Sequence, residues 1–359
     1  MEKSNLYSLG LNSGVAQEAA LYKELHLARI SVQHKELYMV ITEQGELRAG
    51  LAGKLQFLGS GNGDYPAVGD WVMVDRLDNR GGHAIIQQRL PRSSVLVRRA
   101  AGTAYDSQVM AANIDVVFIC MALNHDFNLR RLERYLSLVW DSRAKPVVVL
   151  TKADLCPELS GKLSEVYTVA LGVDVLVTTA MEEDGYGGIR QYIAEGTTVA
   201  FIGSSGVGKS TLINRLLGSE TLATGHIRAD DRGRHTTTHR QLLLLPGGGM
   251  VIDTPGMREL QLANADLGAS FADIEQLAGR CRFRDCSHDS EPGCAVQAAV
   301  REGTLAAGRL QNYVKLQHEL SYQGLNSRQL EQEKTNRMFK EVGGRKQARD
   351  LGKQKQKRR

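Results

Sequence analysis

The sequence predicts an α/β core with a parallel sheet, set between an N-terminal barrel of the OB type and a C-terminal helical domain rich in cysteine. Three observations carry that prediction. Between residues 105 and 265, apolar runs of strand length alternate with stretches of helical periodicity, the pattern of a parallel α/β sheet. One of those runs leads into Gly203-Ser204-Ser205-Gly206-Val207-Gly208-Lys209-Ser210, which fits the phosphate-binding pattern GxxxxGK[ST]. Cys281, Cys286, His288 and Cys294 then crowd into one short stretch near the C-terminal end.

Residues 1–35 are polar and weakly patterned, and read as a mobile arm. Residues 36–104 carry short apolar segments at Leu37–Ile41, Leu47–Leu51, Val68–Val74 and His83–Ile86, separated by turns and by a long loop at Gly59–Asp64. β segments with no helical stretch predict a small closed barrel, and OB-type closure fits best. Barrels of this kind often bind nucleic acid, and many only scaffold. In residues 105–265, buried strands are predicted at Asp115–Met121, Pro146–Leu150, Val173–Val177 and Thr198–Ile202. Leu129, Leu132, Leu136 and Val139 recur at helical spacing and place a helix near 128–141. Ser210–Leu217 opens another helix, and Gln241–Leu245 and Met250–Ile252 flank a glycine turn, which reads as a hairpin. Residues 266–330 read as a helical unit around the cysteines, and 331–359 as a basic tail.

Composition narrows the class. A chain of 359 residues exceeds one typical domain. The net charge is +5, but residues 334–359 hold eleven Lys or Arg against Glu341 and Asp350, so that segment is +9 and the rest is −4. Basicity concentrated in a tail points to a polyanionic partner. Residues 1–20 lack the basic start and apolar stretch of a secretory signal, and the longest apolar run, Ile114–Leu123, is too short to span a bilayer. Five cysteines, an odd and clustered set without an export signal, argue for a metal rather than disulfides and for a cytoplasmic location. Three thiolates and one imidazole, from Cys281, Cys286, His288 and Cys294, satisfy tetrahedral Zn²⁺ with no open position, so one structural zinc per chain is expected.

In the glycine loop, backbone N–H groups can approach phosphate oxygens without a Cβ clash. Lys209 would bridge the β- and γ-phosphates, Ser210 would ligand Mg²⁺, and Thr211 completes the run. Downstream, Asp253-Thr254-Pro255-Gly256 supplies a carboxylate for Mg²⁺ and the Gly256 N–H for the γ-phosphate. Between the two, in Gly233–His239, Thr237 is favoured to complete Mg²⁺ coordination, with its neighbouring threonines as alternatives. Met257 stands where Ras-type proteins carry a water-orienting glutamine, and a thioether cannot do that work. His235 is the best local substitute. Thr151-Lys152-Ala153-Asp154 lies upstream at the end of a buried strand. Asp154 would accept from guanine N1–H and the 2-amino group, which adenine does not offer there. The Lys152 stem can lie along the base, and Thr151 occupies a position that is most often Asn. Thr178, Thr179 and Ala180 fit the small-residue loop that backs the guanine. In an ordinary GTPase the guanine motif comes last. Here it comes first, as a circular permutation produces.

In the order TKAD, GSSGVGKST, GRHTTT, DTPG and C-x4-C-x-H-x5-C, the chain resembles the ribosome-small-subunit-dependent GTPase A family over residues 35–320. These are circularly permuted bacterial GTPases with an N-terminal OB barrel and a C-terminal zinc domain. The resemblance implies hydrolysis of GTP to GDP and phosphate, stimulated by the small ribosomal subunit, and a role in late maturation of that 30S particle. It implies contact with 16S rRNA through both flanking domains, and it also points to catalysis by His235. No membrane partner is expected, and a monomer is the simplest state. The alternative, favoured by Met257, is a non-switching RNA-binding scaffold that keeps nucleotide for stability.

Overall fold

The computed structural model describes residues 5–34, 37–58, 65–99, 107–179, 185–219, 240–253, 267–289 and 291–321, with 329 and 332. Helix α1 (Ser13–Ala19) starts at Asn12, whose side chain accepts from the Val15 N–H. Strands β1 (His26–Gln33), β2 (Tyr38–Thr42) and β3 (Gly45–Leu51) form an antiparallel meander, followed by the short helix α2 (Gly53–Leu58) and by β4 (Trp71–Val74) and β5 (Ala84–Arg89). β3 pairs with β5 in parallel, β5 with β4, and β4 back onto β1, so five strands close into the OB-type barrel that the sequence predicts.

Two details differ from expectation. The barrel's first strand lies inside the stretch read as an arm, and Leu9 ahead of it is buried. The reason is visible in β1, where four successive residues from Ala28 to Ser31 are buried. Two of them, Arg29 and Ser31, are polar, so the alternation that marks a half-buried strand is lost. Helix α2 also interrupts what reads as an all-β stretch.

A hairpin of β6 (Val95–Arg99) and β7 (Ser107–Ala112) leads into the α/β unit. That unit runs β8 (Val116–Ala122), α3 (Leu129–Ser142), β9 (Lys145–Thr151), α4 (Leu159–Val169), β10 (Asp174–Val177), α5 (Gly187–Arg190), β11 (Thr198–Gly203), α6 (Lys209–Leu217), β12 (Arg240–Leu244) and β13 (Met250–Asp253). Its strand order is β10-β9-β8-β11-β13-β12, parallel except for β12. β8 and β11 are buried along their whole length, as strands covered on both faces should be.

The barrel and the α/β sheet are one hydrogen-bonded surface. Along one edge of β1, His26–Arg29 pair with β4 while Val32 and Gln33 pair with Gln241 and Arg240 of β12. Arg29 secures the junction. Its Nε donates to Gly69 O at 3.2 Å, and its Nη2 donates to Thr198 Oγ1 at 2.9 Å and Asn113 O at 3.1 Å. Nη1 reaches Leu9 O and Met250 Sδ. Burial pulls this guanidinium down to about 10, against the opposing charges of Asp115 and Asp70.

The C-terminal unit contains α7 (Leu267–Ser270), α8 (Ala272–Ala278), α9 (Ala295–Arg301) and α10 (Ala307–Ser321). A buried ion cluster ties it to α3. Glu133, fully buried, receives Arg309 at 2.8 Å and Arg130 at 3.2 Å, together with the Asn312 amide. Arg309 also grips Asp273 at 2.8 Å and donates to Ser270 O at 2.9 Å. Arg134 and Glu319 form a second pair between α3 and α10. No helix among the described residues is long and apolar enough to cross a membrane.

Candidate nucleotide site and cysteine cluster

The glycine loop joins the C-terminal end of β11 to α6, between β8 and β13. Loops at this end of a parallel sheet are where ligands bind. Gly203 has φ +144, and a Cβ there would run into the backbone carbonyl of Cys120 on β8. Gly206 and Gly208 also have positive φ, and Gly208 forms the N-terminal boundary of α6. The first turn of α6 therefore opens its N–H groups onto the loop, the arrangement that receives phosphate. Lys209 Nζ folds back over the loop, donating to Gly203 O at 2.8 Å and Ser204 O at 2.6 Å. Ser210 and Thr211 follow it in α6, and Val207 is buried. Asp253 ends β13, the parallel neighbour of β11, so its strand end lies beside the glycine loop. The Ser210 hydroxyl and the Asp253 carboxylate are the hard oxygen donors that Mg²⁺ takes. Cys120 and Cys156 are buried core residues, and burial pushes the Cys120 thiol up to about 12.

The upstream tetrapeptide comes to the same end of the sheet. Thr151 closes β9 and is buried, and its hydroxyl donates to Val207 O of the glycine loop at 2.6 Å. Lys152 adopts a left-handed conformation, φ +58, which turns the chain sharply into the 3-10 turn Ala153–Leu155. Asp154 is exposed and accepts from Thr179 Oγ1 at 2.8 Å. The Ala153 N–H meets Thr178 O at 3.3 Å. The two loops expected to frame a guanine are thus bonded to each other, and the first is bonded to the phosphate loop. Ala180, His235, Thr237 and Gly256 lie outside the described residues, as does Met257.

Arg131 joins this site without any sequence signal. It stands in the first turn of α3, donates to the Ser204 hydroxyl of the glycine loop, and pairs with Asp126 at 3.0 Å. Its only local mark is the Asn128 cap, whose side chain accepts from the Arg131 N–H.

The cysteine cluster assembles from the end of α8, the loop after it and the start of α9. The ligand atoms of Cys281, Cys286, His288 and Cys294 all lie within 4.8 Å of one another. Tetrahedral geometry with metal–sulfur bonds of about 2.3 Å requires sulfur–sulfur edges of about 3.8 Å and sulfur–nitrogen edges of about 3.6 Å. Cys281 Sγ stands 3.9 Å from Cys294 Sγ and 3.7 Å from His288 Nδ1, and Cys294 Sγ is 3.6 Å from that nitrogen. His288 is buried at φ +59, a left-handed turn that aims Nδ1 inward, and its carbonyl is held by the Gln297 amide at 2.6 Å. Burial opposes ionisation of Cys281, yet backbone N–H groups of Val296 and Ala295, with the neighbouring thiols, draw its pKa below the ordinary range. Burial, reinforced by the neighbouring sulfurs, pushes Cys286 up to about 11. Thiolate is the form that binds a metal, and a divalent cation would favour it at each cysteine. The cluster can hold a metal ion.

Taken together, the permuted strand order, the glycine loop and the flanking barrel and cysteine unit define a circularly permuted GTPase. The chain belongs to the RsgA GTPase family, whose profile matches residues 89–263. It is 53% identical over 336 residues to the small ribosomal subunit biogenesis GTPase RsgA 2 of Lactiplantibacillus plantarum, covering 93% of this chain and 95% of that one. Among solved structures it is similar to YjeQ from Thermotoga maritima, with a TM-score of 0.61 and 26% identity over 84% of this chain and all of the other. It shares the fold of YloQ, described as a circularly permuted GTPase, with a TM-score of 0.59 and 24% identity over 83% of this chain and 95% of the other.

Proposed function

We propose that this small-subunit biogenesis GTPase works as a nucleotide-dependent switch in late maturation of the 30S particle, stimulated by that subunit and bound to its 16S rRNA. The observation that carries the reading is where the permuted chain leads after each nucleotide-sensing segment. Residues 220–239 run directly into β12, which is paired to the barrel strand β1. Residues 254–266 run directly into α7, whose Ser270 carbonyl is held by Arg309 of α10. Each flank is therefore wired to one segment that would sense the γ-phosphate.

In this reading Gly203–Thr211 cradle the phosphates, Lys209 neutralises the β- and γ-oxygens, and the Gly256 N–H meets the γ-phosphate. Asp154 accepts from guanine, braced by Thr179, with Lys152 along the base and Ala180 behind it. Ser210, Thr237 and Asp253 would hold Mg²⁺, which supplies charge neutralisation between the terminal phosphates. His235 orients the attacking water in the role that Met257 cannot fill. Cys281, Cys286, His288 and Cys294 would hold Zn²⁺ as a folding centre. We place the working units at residues 26–104, where β1 adds the barrel's first strand, 105–265 and 266–330, with the basic tail at 331–359 adding phosphate contacts. A monomeric, cytoplasmic factor follows from this role.

The test is GTP turnover with purified small and large subunits supplied separately. The expected outcome is stimulation by the small subunit alone. Turnover indifferent to both would leave a nucleotide-stabilised scaffold as the better description.

A further inference from the structure

We infer that the loop Arg280–Arg284 is a stacking platform for an unpaired RNA base. The inference rests on the rRNA-binding reading and deepens it, by naming the feature of the RNA that the C-terminal unit takes. Phe283 sits in the short loop between Cys281 and Cys286 and remains 41% exposed. Phe283 is not among the residues of the unit's core, which is built on Phe271, Ile274, Val296 and Tyr313. The ring is also prepared. The Arg282 guanidinium lies over it at 5.4 Å, the geometry in which cation and π-face reinforce each other.

Arg282 is itself seated. Its N–H donates to Gly293 O at 3.2 Å. Gly293 has φ +76, and a Cβ there would stand 3.1 Å from Arg282 Cβ and 3.3 Å from its Cδ. The missing side chain is what lets the arginine stem lie against the backbone. Phe283 lies between two cluster cysteines, Cys281 and Cys286, so the platform is tied to the cluster on both sides of the ring. Arg280 and Arg284, on either side of Phe283 in the chain, are exposed. Of the nearby acids, Glu291 is engaged by the N–H groups of Ser287 and Asp289, each at 3.0 Å.

A π-face with arginines beside it matches a nucleotide whose base has left its helix. A base within a duplex shows its faces only to its stacked neighbours, whereas a bulged or looped base offers a free face to an aromatic side chain. Stacking of this kind is tolerant of base identity, and loss of the ring weakens binding roughly ten- to a hundred-fold. The flanking arginines supply phosphate contacts, which set affinity and its salt dependence without selecting a sequence.

The experiment uses the full-length protein and two probes, an RNA hairpin carrying one bulged 2-aminopurine and the same hairpin fully paired. Phe283→Ala is expected to weaken the bulged probe roughly ten- to a hundred-fold while leaving the paired probe and the metal content unchanged. Phe283→Trp should keep the affinity and quench the 2-aminopurine. Should the alanine variant lose metal, Phe283→Leu retains the bulk without the π-face and is expected to weaken the bulged probe alone. Arg284→Ala should weaken both probes and flatten the salt slope by about one unit. Unchanged affinity of the Phe283 variants for the bulged probe overturns the platform. Variants that keep RNA affinity but lose small subunits would place a protein on this patch instead, and also overturn it. A parent protein that binds neither probe removes the rRNA reading itself.

Discussion

At Thr151 a hydroxyl stands where an amide is usual, and the Val207 carbonyl 2.6 Å away shows why it suffices. The position needs one donor that ties the guanine loop to the phosphate loop, and either group can supply it. Thr151→Val keeps the shape and removes the donor. Leaving a buried carbonyl unsatisfied should cost about 1–3 kcal/mol, read as a lower midpoint in urea and weaker GTP binding. Asp154→Asn should erase the preference for GTP over ATP in competition binding, if Asp154 accepts from both guanine donors as proposed. Lys209→Ala should abolish hydrolysis with the cluster's metal content intact; joint loss of both would mean an unfolded chain. The glycine loop is legible in sequence because its path past the Cys120 carbonyl excludes a side chain at Gly203. Arg131 is illegible for the opposite reason. Its contact with Ser204 crosses from α3 to a distant loop, and no spacing or residue type announces a partner that only the sheet order brings near.

The helices show how the C-terminal unit is held in register. Glu133 on α3 is buried among Arg309, Arg130 and Asn312, and Arg309 reaches on to Asp273 and Ser270. Such a cluster is costly to bury and costlier to break. Arg309→Met should therefore destabilise the protein by about 3–5 kcal/mol in chemical unfolding. Adding Glu133→Leu should recover much of that loss by removing the stranded carboxylate. A loss that persists in the double variant would mean that Asp273 and Ser270 are the partners that matter. In native-state hydrogen exchange, the single variant should loosen α7 and α10 before β8 and β11. This cluster is illegible in sequence, because Glu133 and Arg309 stand far apart in the chain and only the packing of α3 against α10 brings them together. The strands β8, β9 and β11 were plain, because burial on both faces leaves unbroken apolar runs. β1 is illegible because it buries Arg29 to secure the junction.

Over the whole molecule, charge and connectivity act together. The tail from 334 to 359 carries +9 against −4 elsewhere. Deleting it should weaken binding to RNA at low salt and flatten the dependence of log K on log salt, with little effect on GTP turnover in the absence of ribosomes. An unchanged slope would show that the tail meets no phosphate. The shared sheet has a further consequence, for the order in which the chain is made. The barrel strands leave the ribosome first, while β12, which covers the edge of β1 at Val32 and Gln33, emerges only after the guanine and phosphate loops. Until then a nascent barrel carries a raw strand border, open to the wrong neighbour. Synthesis that stalls before residue 240 should leave sticky, chaperone-bound fragments, and an N-terminal barrel expressed alone should pair with itself.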